Sequence, residues 1–233
     1  MVEEIGHALD EAESRPALCA VVLTGTGRAF CAGADLKEAK SLASSCGSAA
    51  STEAFIAEIN ALAGRIERFR LPVIAAVNGL AIAGGLELVL ACDLVIAAQS
   101  ARMGDGHAKY GLLPGAGGSV RLPRKVGANR AKYLMFTAEY LPAEVLESWG
   151  LVNAVVPDSE LEAAASSLAG KLGDKSPVGL SRMKQLVNDS ADQTADAALR
   201  SEQLMSALHL HARDRAEGLA AFAEKRAPHF TGQ

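Results

Sequence analysis

"LPVIAAVNGLAIAGGLELVLACDLVIAA", residues 71–98, is the longest apolar stretch of the chain, and its reading decides the fold. It is long enough to suggest a membrane span. It also carries Asn78, Glu87, Asp93 and two glycine-led turn signals. Polar groups and turns at that density suit a buried α/β core better than a bilayer. Within the stretch, "VIAAV" predicts a strand begun after Pro72, "GGLELVLAC" a helix opened by glycines, and "DLVIAA" a further strand.

The flanks extend the pattern. "MVEEIGHALDEAE" places Val2, Ile5, Leu9 and Ala12 on one helical face, and "LCAVVLTG" (18–25) reads as a buried strand closed by glycine. "STEAFIAEINALAGRIERF" spaces Phe55, Ile59, Leu62, Ile66 and Phe69 by three or four, which predicts an amphipathic helix capped by Ser51 or Thr52. From Ala128 onward the pattern is helical, with "LVNAVV" (151–156) as the one strand expected there. The Ser/Ala/Gly run "SLASSCGSAAS" (41–51) reads as a linker-like loop, and no internal repeat is visible. The expected class is α/β, with a core over 1–157 and a helical C-terminal region over 158–233.

Composition narrows the function. At 233 residues, with 49% hydrophobic and 21% charged residues, the chain is long enough for one well-packed globular core. A net charge of −4 supplies no field drawing it to nucleic acid or an anionic membrane. The basic run "RLPRKVGANRAK" (121–132) is read as a solvated face. Cys19, Cys31, Cys46 and Cys92 have no CxxC spacing and no nearby His pair, so neither a zinc site nor a redox motif is indicated. With no signal-peptide pattern, they are expected to be reduced thiols in a soluble, cytoplasmic protein.

Chemistry concentrates in three segments. In "CAGADLKEA" (31–39) and "AIAGGLELVLACDL" (81–94), small residues precede a helix start, where backbone N–H groups lack helical partners. Two such ends facing each other would form an oxyanion hole suited to a thioester. Glycines before a helix also serve as packing or turn devices, so each stretch alone leaves both readings open. Glu87 enters its helix among Leu86, Leu88, Val89 and Leu90, either as a buried acid/base group or at the helix's one solvent-facing position. His107 sits in "MGDGHAKYGLLPGAGG" (103–118), just before a Pro-Gly turn.

Together, "FCAGADLKE", "PVIAAVNGLAIAGGLELVLACDL", "GLLPGAGGSVRLPRKVG" and "RDRAEGLAAFAEKRAPHF" resemble the crotonase (enoyl-CoA hydratase/isomerase) family in order and spacing, over the whole chain. The wording is most similar to the branch containing methylglutaconyl-CoA hydratase. The resemblance implies a ββα superhelix followed by helices that pack subunits into trimers, often paired as hexamers. It implies a lyase of fatty acid metabolism that hydrates a 2-enoyl-CoA to a 3-hydroxyacyl-CoA. No metal or separate cofactor is expected, since coenzyme A is part of the substrate. By position, the backbone N–H groups of Ala34 and Gly84 would form the oxyanion hole, and Glu87 would hold and deprotonate the attacking water. Arg28 would meet a CoA phosphate, Ala32, Asp35, Leu36 and Lys37 would line the substrate, and Phe222 and Lys225 would lie near the CoA adenine and phosphate.

Two departures stand out. Hydratases of the family carry a second glutamate, the proton donor to the α-carbon, where this chain has His107. An imidazole can deliver a proton near neutrality. The histidine therefore fits a replacement acid, a different acyl-CoA reaction (hydrolysis, carbon–carbon cleavage or isomerisation), or an inert pocket in an acyl-CoA-binding protein. The chain also begins inside the helix that follows the family's first strand pair, which would leave a sheet edge uncovered. RNA binding, which occurs in the similar branch, is disfavoured by the acidic net charge and by having only Lys37 and Lys40 near "DLKEAKS".

Overall fold

Short apolar runs, each closed by glycine or a polar turn, set the architecture of the computed structural model, which describes residues 1–15, 18–35 and 48–233. Helix α1 (Val2–Glu13) buries Leu9 and Ala12 and leans Val2 and Ile5 on the core. Three windings of strand, strand and helix follow. The first is β1 (Val21–Thr24), β2 (Ala29–Cys31) and α2 (Ser48–Arg68); the second is β3 (Val73–Val77), β4 (Leu80–Ile82) and α3 (Gly84–Ala91). The third is β5 (Leu94–Ala98), β6 (Arg102–Gly104), a 3-10 turn at His107–Tyr110, and helices α4 (Gly118–Val126) and α5 (Ala128–Thr137).

The first strand of each winding joins one parallel sheet and the second joins another. With β7 (Leu141–Pro142), α6 (Ala143–Ser148) and β8 (Ala154–Val156), the sheet orders are β1-β3-β5-β8 and β2-β4-β6-β7. Among the described residues only the β6–β7 pairing is antiparallel. The repeat is thus one of winding, carried by different side chains each time. That is why it leaves no mark in the sequence.

Asn78 stitches two windings together. Its Oδ1 accepts from the Gly25 N–H at 3.0 Å, and its Nδ2 donates to the Gly27 and Ala29 carbonyls at 3.0 and 3.3 Å. A Cβ on the neighbouring Gly79 would stand 2.3 Å from the Arg28 carbonyl oxygen, so the backbones approach as only glycine permits. One polar residue of the long apolar run is therefore a structural clamp.

Helix α7 (Leu161–Gly173), after a 3-10 turn at Asp158–Glu160, packs on β1, β3 and β5. Helices α8 (Pro177–Ser190), α9 (Ala195–His209) and α10 (Arg213–Glu224) complete the chain. Ser176 caps α8, accepting the Gly179 N–H at 3.1 Å, with Pro177 in the first turn where its missing N–H costs nothing. From α8, Lys184 donates to the Ile66 and Leu71 carbonyls and to Asp93 Oδ2 at 2.7 Å, pinning the helix to the core.

Several expectations change. Strand β7 is a second strand beyond Ala128, and β1 alternates half-buried and exposed residues where a buried strand was expected. Helix α2 already runs at Ser48, so Ser51 and Thr52 lie inside it and do not cap it, and residues 48–51 of the expected linker are helical. The rest of that linker lies outside the described residues. The basic run is no uniform solvated face, because α4 turns two of its cations inward. Arg121 pairs with Glu67 at 2.8 Å, and Lys125 donates to the Cys92 carbonyl at 2.9 Å, leaving Arg124, Arg130 and Lys132 exposed. Cys31 and Cys92 carry free thiols, and burial beside Asp93 pushes the Cys92 thiol up to about 12. No helix among the described residues is long and apolar enough to cross a membrane.

Candidate active site

Strands β2, β4 and β6 run parallel, so their C-terminal ends open at one edge of the second sheet. Three segments leave from that edge: Gly33–Ala34, Ala83–Gly84 and Asp105–His107. A Cβ at Gly33 (φ +87°) would stand 3.1 Å from the Ile82 oxygen, 3.3 Å from the Ala83 Cβ and 3.7 Å from the Gly84 nitrogen. The two glycine-led stretches therefore touch. Gly84 opens α3, where its N–H has no helical partner, and Ala34 follows Gly33 at an exposed position.

Ala83, between them, holds φ 52° and ψ −117°, a backbone state that costs a residue with a side chain on the order of 1–3 kcal/mol. Its N–H donates to the Gly104 carbonyl at 3.1 Å, tying the strained turn to β6. The adjacent glycines divide their labour. A Cβ on Gly85 would sit 1.9 Å from the Cys31 carbonyl oxygen, whereas one on Gly84 would meet only the Gly33 Cα at 3.9 Å. Gly85 is the packing device and Gly84 the open end.

Glu87 is one turn further on and 3% exposed, so it does not take the helix's solvent-facing position. Its Oε1 accepts the Ala116 and Gly118 N–H groups, both at 2.8 Å. Backbone donors to a carboxylate are strong bonds, and here both fall on one oxygen. They come from the "PGAGG" turn, shaped by Gly117 at φ +92° and fastened by Arg121, which donates to the Ala116 carbonyl at 2.7 Å and to Glu67. A Cβ at Gly118 would stand 3.1 Å from Glu87 Oε1, so the turn closes tightly on the carboxylate.

His107 begins the 3-10 turn, with its side chain 12% exposed. Its Nδ1 lies 3.1 Å from Asp105 Oδ1, at ion-pair distance though off a hydrogen-bond line, and its backbone N–H donates to the same oxygen at 3.3 Å. Burial alone would lower the imidazole pKa. The contact and charge of Asp105, with the Glu87 charge, outweigh it and hold His107 above its ordinary 6.5.

The remaining sequence-derived positions are more scattered. Arg28, Ala32 and Asp35 are exposed around β2, while Leu36 and Lys37 lie outside the described residues, as do Lys40 and Cys46. Phe222, 86% exposed, and Lys225 sit at the end of α10, and no hydrogen bond or ion pair joins either to the described residues around Glu87. Among the described residues no His, Cys, Asp or Glu cluster could hold a metal ion. A groove of about 480 Å³ beside α8 is lined by Asp93, Arg121, Lys125 and Lys184 but by neither Glu87 nor His107.

Sequence reasoning missed Asp105, Arg121 and the two amides that hold Glu87. An acid two residues before the histidine, between glycines, was a readable signal for Asp105. For the amides there was none, since they lie 29 and 31 residues beyond Glu87.

Comparison with known proteins bears on the family and the fold. The family model described as enoyl-CoA hydratase/isomerase matches residues 1–233. A probable enoyl-CoA hydratase of Mycobacterium tuberculosis is 37% identical over 231 residues, covering 99% of this chain and 87% of the relative. The human mitochondrial methylglutaconyl-CoA hydratase is 39% identical over 208 residues, covering 88% of this chain and 60% of the relative. The crystal structure of an enoyl-CoA hydratase from Bacillus anthracis superposes with a TM-score of 0.93 at 37% identity, covering 100% of this chain and 88% of that one. The winding of paired strands and helices is the crotonase-like α/β fold, with a helical C-terminal region.

Proposed function

This chain belongs to the enoyl-CoA hydratase/isomerase family, and from that membership we propose that it adds water across the double bond of a 2-enoyl-CoA to give a 3-hydroxyacyl-CoA. The observation that carries the reading is Glu87: a buried carboxylate held by two backbone amides on one oxygen, one helical turn from the open end of α3. Oε2 is then the oxygen that holds the water.

In the proposed reaction the thioester oxygen accepts from the Ala34 and Gly84 N–H groups. Charge developing on that oxygen strengthens both bonds, which lowers the barrier where it matters. Glu87 takes one proton from water as the oxygen bonds to C3, and the π electrons move onto the thioester. His107, as imidazolium, gives its proton to C2. A proton then passes from Glu87 through solvent to restore the imidazolium. The polarised thioester is the electron sink, so the chemistry calls for no metal or redox cofactor. Arg28, Phe222 and Lys225 are proposed to meet the CoA portion, where fixed cations suit phosphate.

His107 also favours a second reading, in which it serves as the base of a thioester hydrolysis or a carbon–carbon cleavage. A panel of purified-protein assays separates them. Turnover of enoyl-CoA to 3-hydroxyacyl-CoA supports the hydratase. Cleavage of β-ketoacyl-CoA or release of free CoA supports the second reading, and tight binding without turnover would sink both.

We propose further that the chain assembles as a trimer or a dimer of trimers. Leu204, Leu208, Leu219 and Phe222 stand 73%, 55%, 56% and 86% exposed on α9 and α10, apolar surface that an isolated chain leaves in water. Light scattering should give a mass near three or six chains at micromolar concentration, and a monomer would refute the assembly.

A further inference from the structure

We propose that Asp105 is a positioning residue: its buried carboxylate, facing Nδ1, aligns the imidazole of His107 and leaves Nε2 to meet the substrate. The inference rests on His107 acting as the proton donor, as proposed above.

The backbone around Asp105 is pinned on both sides. A Cβ on Gly104 would stand 2.2 Å from the Glu139 carbonyl oxygen and 2.6 Å from the Tyr140 ring. Gly106, at φ +68°, would bring a Cβ to 3.0 Å from Ile82 and 3.3 Å from the Tyr140 hydroxyl. Glycine alone takes this conformation cheaply, and it turns the chain from β6 into the 3-10 turn. As a result the Asp105 carboxylate faces back onto His107, with Oδ1 at 3.1 Å from Nδ1 and 3.3 Å from the backbone nitrogen.

Burial makes the pairing necessary. Asp105 is 2% exposed, and both of its hydrogen-bonding or ion-pair contacts among the described residues come from His107. A carboxylate taken out of water without a compensating charge is costly, so the aspartate and the imidazolium stabilise each other. The arrangement also sets the charge of the site. His107 alone would bring Glu87 and its opposing cation to zero; Asp105 returns the set to minus one and leaves the carboxylate and the imidazolium with separate roles.

Among the described residues, other charges near the imidazole are few. Glu87 on α3 acts on it in the same direction as Asp105, and the Tyr140 ring lies beside Gly106. Lys109 is exposed on the 3-10 turn itself. From α5, which packs on that turn, Arg130 and Lys132 are both exposed, Arg130 lying over the Trp149 ring.

The test combines a variant with a titration that needs none. Asp105→Asn keeps the shape and removes the charge. It should lower kcat at pH 7.5 by roughly 10- to 100-fold with KM little changed, as expected for impaired acid catalysis. The alkaline limb of the pH profile should move to lower pH, and Asp105→Glu should recover part of the loss. In the wild-type protein, NMR of the imidazole C–H signal that disappears in His107→Gln should titrate above 6.5. A His107 midpoint at or below 6.5, or an Asp105→Asn enzyme with an unmoved pH profile, overturns the role of Asp105. If His107→Gln itself leaves kcat unchanged, the proton-donor reading fails instead, whatever Asp105 does to the titration.

Discussion

Helix α3 has an acid near each end, Glu87 buried and Asp93 half-buried, and the two are held by different partners. Asp93, just past the C-terminus, accepts the Val73 N–H and the Lys184 ammonium on one oxygen, both at 2.7 Å. Lys184 spends its other donors on the Ile66 and Leu71 carbonyls. Burial pushes the Asp93 carboxyl up while Lys184 pulls it back, and the result is an anchor joining four segments. Glu87, near the N-terminus, has no cation bonded to it among the described residues and two neutral dipoles on a single oxygen. Each acid is gripped on one oxygen; the difference is that Asp93 meets a full opposite charge, whereas Glu87 is fixed by oriented amides that bring no cation. The two acids thus differ in partner as well as in burial: Asp93 is paired with a cation, and Glu87, the proposed base, is held by neutral dipoles.

The comparison breaks if the two acids respond alike. Glu87→Gln should lower kcat by roughly 10²–10⁴-fold, the range for a positioned acid/base group, with acyl-CoA affinity and melting temperature close to wild type. Activity within a few-fold of wild type would make Glu87 structural. Lys184→Met should do the reverse. With side chains 7% and 20% exposed, Lys184 and Asp93 form a largely buried pair, and removing one partner costs about 3–5 kcal/mol. Denaturant unfolding should show that loss while kcat of the folded fraction stays within a few-fold; a collapse in kcat at unchanged stability would reverse the assignment.

The smallest effect sharpens the picture at the other acid, Asp105. His107 titrates above its unfolded value of 6.5, so its pairing contributes stability that is full below about pH 6.5 and lost as pH rises through the folded pKa. Melting curves should therefore show wild type ahead of His107→Gln at pH 6, with the gap closing by pH 9. A gap that widens with pH would contradict the sign.

How much of this could be read in advance follows from length and distance along the chain. Strands β3 and β5 and helix α3 were legible because apolar runs of five or more residues end at glycine, proline or a polar residue. Strands β2, β4 and β6, three residues each, are too short to show an alternation of two. Glu87 and His107 stood out as polar groups in apolar or glycine-rich settings. The partners that define them did not. The donors to Glu87 lie 29 and 31 residues beyond it, and the glycines flanking Asp105 pack against Ile82 and Tyr140, both distant in sequence. Arg121 was misjudged for a related reason: a basic run says nothing about which of its positions a helix turns inward.

The unequal glycines at the start of α3 bear on how variation at this site would be filtered. In a library of single substitutions, codon 85 is screened by soluble yield, because any side chain drives into the Cys31 carbonyl before a product is ever made. Codon 84 admits an alanine at ordinary contact distance, so its variants reach the assay and are ranked by turnover. Two identical neighbouring letters thus report on different traits.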